Sequence, residues 1–348
     1  GKVLSEILKD NFEEQLLCLL LVQNYSVKTG MQKITYKNKD IYFIHLSSSA
    51  VNGFVDTDIE NLSNYMQYFI KSKLKGEEYL KNKFNNLLIL RPSNIFGYNC
   101  EPYYNNILVS LIYEKINGFT TINNLNKNCV RNYLSIDGLI NTIYNLMIEK
   151  TNGTYNIFSN NNVNLEFVCN CVYDVVPTYI NINNSEISLL NTNVSNCIII
   201  NENLQEKINM LESDMRTYLY LKNNVEINKL TELVQPRGNM IEISELNSER
   251  LYKITLNKNS IRGNHYHDVQ TEDFFVNKGH VYFMLSHKNN LNIVYQFILF
   301  ANSKVRVKPE IVHTLINDFE NNEPEIFICS TQKYIENIVL DTTYVNII

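Results

Sequence analysis

The sequence lacks the features that mark membrane-spanning, secreted and nucleic-acid-binding proteins. Its longest apolar run, Leu16 to Val22, is broken by Cys18 and is far shorter than the ~20 residues that span a bilayer. We find no secretory signal and no block of basic residues, and the formal net charge is −5. We therefore expect no membrane span and no nucleic-acid partner.

Cysteine is used sparingly and without a pattern. The chain has seven cysteines, an odd number, and Cys169 and Cys171 have no second cysteine pair nearby. This usage predicts reduced thiols, a cytoplasmic localisation and no cysteine-based zinc site. With 348 residues, of which 45% are hydrophobic and 19% charged, the chain is long enough for two globular domains.

One stretch, RGNHYHDVQTEDFFVNKG at 262–279, concentrates chemistry-bearing residues. It contains His265, His267 and Glu272 in the spacing H-x-H-x4-E, and His313 follows in a later strand-like run. Residues i and i+2 of a strand share a face, so the first two imidazoles can point at one centre. Three imidazoles and a carboxylate suit a divalent transition metal with one or two positions left for water or substrate.

These spacings resemble the cupin signature. In its usual second motif, P-x-G-x-x-H-x3-N, His313 and Asn317 match, whereas Lys308 and Glu310 replace the proline and the glycine. The resemblance implies an all-β cupin domain, a jelly-roll barrel that holds its site inside. Short strand-like runs with polar turns after residue 225 agree with a β-barrel or sandwich.

The first half alternates helix and strand patterns. We predict a helix over residues 1–24, a buried strand over 41–46, a helix over about 61–82 and a strand from residue 87. Such alternation indicates a parallel sheet with crossover helices.

Four segments of this half resemble landmarks of extended short-chain dehydrogenase/reductases: LSSSAVNG, SKLKGEE, LRPSNIFG and RNYLSIDGL. The resemblance implies that Ser49 and Lys73 are the catalytic serine and lysine, and that Lys73, Arg91 and Asn94 bind NADPH or the nucleotide sugar. Phe69 stands where the family has its catalytic tyrosine, and no G-x-x-G-x-x-G occurs. We therefore expect an α/β, incomplete Rossmann-like domain without its first βαβ units, which does not reduce a substrate as it stands.

The order of the two halves resembles the CapF family of capsular polysaccharide synthesis enzymes, which join a reductase to an RmlC-like cupin. The expected domains are 1–224 and 225–348. The resemblance implies C3 epimerisation of a UDP-linked 4-keto-6-deoxy amino sugar by the cupin, C4 reduction with NADPH by the other half, and a homodimer formed through the cupin.

Three questions stay open at the level of sequence. Zn²⁺ bound by the four donors can polarise the sugar ketone or only order the barrel, and His265 is either a ligand or the base that removes the C3 proton. If His265 is a ligand, Tyr266, Asp268 or Tyr282 becomes the acid-base candidate. The alternative functions are a 3,4-ketoisomerase and a non-catalytic cupin that binds sugar or dimerises on a degenerate scaffold.

Overall fold

The computed structural model describes residues 18–20, 42–53, 58–103, 106–119, 121–123, 129–173, 178–180, 194–231, 233–235, 238–319, 322–331 and 342–345. Contacts between residues divide the chain into two compact units, Val3–Glu212 and Ser213–Ile348. The division falls within the helix Leu204–Asn224.

The first unit is built on a five-stranded parallel sheet of order β1-β2-β3-β7-β10. Smaller pairings are β4-β6-β8 and β5-β9. The strands are β1 Cys18–Leu20, β2 Tyr42–Leu46, β3 Asn86–Pro92, β4 Asn94–Phe96, β5 Thr121–Asn123, β6 Val130–Ser135, β7 Gly153–Ser159, β8 Asn162–Asn164, β9 Thr178–Ile180 and β10 Cys197–Ile200.

Helices link these parallel strands, as a crossover requires. They are α1 Asn64–Lys81, α2 Ile107–Ile116, α3 Ile136–Ile148 and α4 Leu165–Val172, whereas α5 Leu204–Asn224 follows β10, the last strand of the sheet. The longest crossover, α1, begins where the Ser63 hydroxyl accepts a hydrogen bond from the Met66 N–H, and it buries Ile70 and Leu80. Helix α1 therefore returns the chain from the end of β2 to the start of its parallel neighbour β3.

The predicted helix over residues 1–24 is wrong at Cys18–Leu20, where β1 pairs in parallel with Phe43–His45 of β2. The remainder of that prediction lies outside the described residues. A short apolar run has no period that separates a buried strand from a buried helix, so the sheet partner decides.

The second unit consists mainly of two five-stranded antiparallel sheets, of orders β11-β19-β16-β21-β14 and β18-β17-β20-β15-β22. The strands are β11 Glu226–Lys229, β12 Leu233–Gln235, β13 Gly238–Met240, β14 Arg250–Thr255, β15 Ser260–His267, β16 Glu272–Lys278, β17 His280–His287, β18 Asn290–Phe300, β19 Ser303–Val307, β20 Ile311–Asn317, β21 Glu325–Ser330 and β22 Thr342–Tyr344.

Both sheets of the second unit contribute alternate side chains to one apolar core. Phe274 and Val276 of β16 share this core with Phe283 and Leu285 of β17, and the rings of Phe274 and Phe283 meet edge to face at 5.4 Å. The strand predictions for this half are therefore confirmed, and the sheets enclose a common interior as in a β-sandwich or barrel.

In the described part of the chain, no helix has both the length and the apolar character that a bilayer crossing requires.

Candidate metal centre

Four side chains from the second unit converge at one place inside the sandwich. His265 and His267 lie on β15, Glu272 begins β16, and His313 lies on β20. Their donor atoms all lie within 4.8 Å of one another. Strand β16 belongs to one sheet, and β15 and β20 belong to the facing sheet. The packing of the two sheets against each other therefore creates this cluster.

A β-bulge sets the direction of the first two imidazoles. Gly263 pairs with Thr314 and His265 with His313, which leaves Asn264 as the extra residue. Asn264 has φ 57°, and its side chain accepts a hydrogen bond from the Thr314 hydroxyl at 2.8 Å. The bulge changes the facing of β15, so that His265 and His267 point inward from there on.

Glu310 occupies the position where the usual cupin motif has glycine. Its φ is 68°, and its backbone N–H donates to the His267 carbonyl oxygen at 2.7 Å. A left-handed conformation costs a residue with a side chain about 1–2 kcal/mol. The turn before β20 thus keeps a backbone conformation that favours glycine, and its amide fixes the end of β15.

The outer nitrogens of two imidazoles have local partners. His313 Nδ1 lies 3.3 Å from the Ile311 carbonyl oxygen, and His267 Nδ1 lies 3.3 Å from the Thr342 hydroxyl. A neutral ring that donates from Nδ1 presents the lone pair of Nε2, which is the arrangement found in histidine ligands of metals. Both Nε2 atoms face the Glu272 carboxylate.

The Glu272 carboxylate has two differently occupied oxygens. Oε1 accepts hydrogen bonds from Gln270 Nε2 at 2.7 Å and from the Tyr252 hydroxyl at 3.2 Å. Oε2 lies 3.5 Å from His267 Nε2 and 3.4 Å from His313 Nε2. One oxygen is therefore anchored to the protein, and the other faces the imidazoles.

Burial controls the charge of these groups. It lowers the pKa of His265 to about 3, with help from the neighbouring imidazoles of His313 and His267. Burial by itself raises the pKa of Glu272, but hydrogen bonds and charge from His267 and His313, when their Nε2 atoms carry protons, outweigh it and hold the pKa well below its usual range. At neutral pH His265 is therefore neutral and Glu272 ionised, the forms that bind metals.

Two of the distances between donors match the coordination of a small divalent cation. A tetrahedron with metal–ligand bonds of roughly 2.0–2.2 Å has edges of roughly 3.3–3.6 Å. The two distances from Glu272 Oε2 to the imidazoles, 3.4 and 3.5 Å, lie in that range. A carboxylate that is only 3% exposed is costly without a counter-charge, which a cation supplies.

The acid-base candidates next to the cluster lie on other faces. Tyr266 alternates with His265 and His267 along β15, and Lys288 Nζ lies 5.5 Å from the centre of its ring. Asp268 accepts a hydrogen bond from the same lysine at 2.8 Å. Tyr282 alternates with the core residues of β17. The structure does not bring these three side chains to the four donors.

Sequence reasoning missed the groups that surround the donors: Tyr252, Gln270, Thr342 and Tyr344. The ring of Tyr344 lies 5.4 Å from that of His265, and it is 71% exposed. No spacing motif marks Tyr252, Thr342 or Tyr344, because β14 and β22 reach the cluster only through their strand pairings. Gln270 lies in the loop between β15 and β16, two residues before Glu272.

Ser49 and Lys73, the predicted catalytic pair of the first unit, lie on different elements. Ser49 begins a short 3-10 turn and is 1% exposed. Lys73 is half-buried on α1, and its Nζ lies 5.6 Å from the centre of the Phe69 ring. Burial lowers the pKa of Lys73, while the charge of Glu77 raises it. A phenyl ring therefore occupies the face beside the lysine where the reductase family has a phenol.

Arg91 and Asn94, the predicted cofactor-binding residues, have partners within the protein. Arg91 donates from Nε and Nη2 to the Glu77 carboxylate at 2.9 and 2.6 Å, and from Nη1 to Asn52 at 3.0 Å. Asn94 donates to the Asn132 carbonyl oxygen at 3.1 Å. An open cavity of about 410 Å³ is lined by Leu74, Glu77, Glu78, Lys81, Asn82 and Arg91. Asn94 and Ser49 do not line it.

The chain is similar to several solved structures. It matches the capsular polysaccharide assembling protein CapF from Staphylococcus aureus at 18% identity over 93% of this chain and 83% of that one, with a TM-score of 0.30. A 3,4-ketoisomerase, QdtA from Thermoanaerobacterium thermosaccharolyticum, solved with TDP-4-keto-6-deoxyglucose, matches at 18% identity over 34% of this chain and 86% of that one, with a TM-score of 0.29.

A third structure is NovW, a 4-keto-6-deoxy sugar epimerase from Streptomyces spheroides. It matches at 15% identity over 35% of this chain and 69% of that one, with a TM-score of 0.29. No protein-family model matches the sequence. No curated protein matches it significantly.

Proposed function

We propose that the second unit binds a divalent transition metal, Zn²⁺ by its donor set, and epimerises C3 of a UDP-linked 4-keto-6-deoxy amino sugar. The observation that carries the metal site is the position of Glu272 Oε2, 3.4 and 3.5 Å from the inward nitrogens of His313 and His267. The reaction class is supported by the RGxH segment, Arg262-Gly263-x-His265, which resembles part of the opening of deoxysugar-processing cupins.

The proposed reaction is a proton exchange without net oxidation. The C3–H bond breaks and the proton passes to a base, while the electron pair of that bond forms a C3–C4 double bond and the π pair of the C4 carbonyl moves onto its oxygen to give an enolate; the carbonyl re-forms when C3 is protonated again. A proton then returns to C3 on the opposite face of the ring. When bound, the metal would polarise the 4-keto oxygen and so make the neighbouring C3 proton acidic.

His265 has two possible assignments in this scheme. Its Nδ1 is buried and, among the described residues, has no hydrogen-bond partner. As a fourth ligand it completes the donor set; as a base it takes the C3 proton while His267, Glu272 and His313 hold the metal. A His265→Ala variant that keeps metal but loses exchange supports the base, and one that loses metal supports the ligand.

We also propose that this chain by itself does not reduce C4 with NADPH. Phe69 has no hydroxyl to transfer a proton beside Lys73, and Tyr65, one turn earlier on α1, is 63% exposed. The Arg91 side chain donates from Nη2 to Glu77 and from Nη1 to Asn52, so both terminal nitrogens already contact the protein. The site residues Ser49, Lys73, Arg91 and Asn94 therefore serve the fold of the first unit in this proposal.

The test is solvent exchange. Metal-loaded protein is incubated with a UDP-4-keto-6-deoxy-N-acetylhexosamine and NADPH in D₂O, and NMR follows deuterium at C3 and the configuration of that carbon. We expect deuterium and inversion at C3, no NADPH oxidation, and no exchange in His313→Ala. His287→Gln, which changes a histidine outside the cluster, keeps wild-type exchange.

Two outcomes contradict the proposal. A keto group that moves from C4 to C3 identifies a 3,4-ketoisomerase, which begins with the same loss of the C3 proton. Absence of exchange from metal-loaded protein identifies a cupin that binds sugar or dimerises without catalysis.

A further inference from the structure

We infer that Tyr252 and Gln270 are positioning residues that make Glu272 a one-oxygen ligand. The inference rests on the metal-binding part of the proposed function. It assigns the two hydrogen bonds on Glu272 Oε1 a task in the metal site, namely to keep that oxygen away from the metal and to aim Oε2 at it.

Tyr252 reaches Glu272 from two strands away. Strand β14, which carries it, pairs with β21, and β21 pairs with β16, where Glu272 begins. Neighbouring strands are about 4.8 Å apart, so a side chain must span roughly twice that distance. The Tyr252 side chain is long enough to span this distance, and its hydroxyl lies 3.2 Å from Glu272 Oε1. The Arg250 guanidinium lies 4.1 Å from the centre of the tyrosine ring and restrains it.

Gln270 approaches the same oxygen from the loop between β15 and β16. Its amide nitrogen lies 2.7 Å from Oε1, and it stands two residues before Glu272 in the chain. A backbone turn alone does not set the rotation of a carboxylate, whereas two donors on one oxygen do. Both donors are uncharged, so they orient Glu272 and leave its negative charge to the cation.

The consequence concerns the number of donors around the metal. A carboxylate with both oxygens free can bind through two of them and fill a position that water or substrate would use. With Oε1 held by two protein donors, Glu272 contributes Oε2 alone, and the protein offers at most four donors. When the metal takes a fifth ligand, or when His265 is the base and not a ligand, the anchoring of Oε1 thus keeps a coordination position open for a substrate oxygen.

The test compares metal binding in Tyr252→Phe, Gln270→Met and the double variant with the wild type. Tyr252→Phe retains the ring under Arg250, and Gln270→Met retains the length of the side chain. Tyr295→Phe is the matched control, because it removes the hydroxyl of a partly buried tyrosine that packs beside Tyr218 and Phe297. Affinity is measured with Co²⁺ and Zn²⁺ against a chromophoric chelator, and the Co²⁺ visible spectrum reports coordination number.

We expect each single variant to bind metal about 10-fold more weakly, and the double variant to lose more, since outer partners of metal ligands typically contribute 10- to 100-fold. The Co²⁺ bands of the double variant should weaken toward those of a higher coordination number. Melting temperatures of the metal-free variants should match that of Tyr295→Phe, which a role in folding alone would not give.

Unchanged affinity and an unchanged Co²⁺ spectrum in the double variant overturn the inference while the metal site stands, provided that wild type binds Co²⁺ and His313→Ala does not. A wild-type protein that binds neither metal overturns the metal site itself. The two failures are therefore distinguishable in one set of titrations.

Discussion

The backbone of Gly263 approaches that of His313 so closely that a Cβ atom on Gly263 would overlap the His313 carbonyl oxygen. Gly263 also has φ 104°, a conformation that residues with a side chain rarely adopt. The glycine of the RGxH segment therefore allows β15 and β20 to meet at the point where both strands carry donors.

Gly263→Ala should destabilise the protein by at least about 2 kcal/mol, because a clash with backbone adds to the cost of the left-handed conformation. It should also weaken metal binding, since His313 must move. Gly118→Ala is the control: Gly118 has φ 77°, but a Cβ there would meet nothing within 4 Å, so only about 1 kcal/mol is lost. Urea unfolding measures both, and equal losses would show that the approach to His313 is harmless.

Metal removal should lower the melting temperature of the second unit. A ligand that binds only the folded state stabilises it by about 2.7 kcal/mol at a free concentration one hundred times its dissociation constant. Thermal unfolding with added Zn²⁺ and with a chelator measures the difference. His313→Ala should abolish it and His287→Gln should keep it; a chelator effect that survives in His313→Ala would place the metal elsewhere.

Arg91→Met should destabilise the first unit by about 3 kcal/mol at pH 7, because it leaves a charged Glu77 buried without its main partner. Glu77 is 2% exposed. Lys81→Met is the control: Lys81 Nζ also lies near Glu77, at 3.9 Å, but the lysine is 53% exposed, so about 0–1 kcal/mol is expected. Urea unfolding again measures both variants.

The Glu77 pair also predicts a pH dependence. Burial by itself raises the pKa of Glu77. Hydrogen bonds from Arg91 and Ser47 lower it by more than burial raises it, so the pKa of Glu77 in the folded protein lies below its usual value. Its stabilisation is therefore present above the unfolded pKa of about 4.3 and is lost as the pH falls below it. The penalty of Arg91→Met should shrink in the same range; a penalty that stays constant in acid would contradict the ion pair as its source.

His45 should remain neutral down to acid pH. Burial, followed by the charge of Lys73, lowers its pKa to about 4, from an ordinary value of about 6.5. The unfolded chain thus takes up a proton before the folded one, and stability falls as the pH drops from about 6.5 to about 4. NMR titration of the ring measures the pKa, and His45→Gln should flatten the stability profile. A midpoint near 6.5 would contradict this account.

The fold follows the sequence pattern where elements are long. The alternation over residues 41–97 predicted strand, helix and strand, and β2, α1 and β3 occupy these positions. The helix predicted over residues 1–24 is wrong at residues 18–20, because this short apolar segment forms a strand through its pairing with Phe43–His45.

Some residues of the candidate site are predicted by the sequence, and others are revealed only by the structure. The H-x-H-x4-E spacing and His313 identified donors that the structure places together. Tyr266 is an acid-base candidate on sequence, yet it adjoins His265 and His267 on β15, and adjacent residues of a strand face opposite sides. Tyr252 and Thr342 are distant in sequence from the residues they contact, so no local pattern could reveal them.

The sequence by itself determined which donors are available, His265, His267, Glu272 and His313, and the periods that make the first half α/β and the second half all-β. Only the tertiary structure decided which oxygen of Glu272 faces the imidazoles and that the Nδ1 atoms of His267 and His313 contact Thr342 and Ile311. It also decided that Arg91 contacts Glu77. The physical reason is that a period fixes the face of one strand or helix, whereas a contact between strands depends on the register and pairing of elements far apart in the chain.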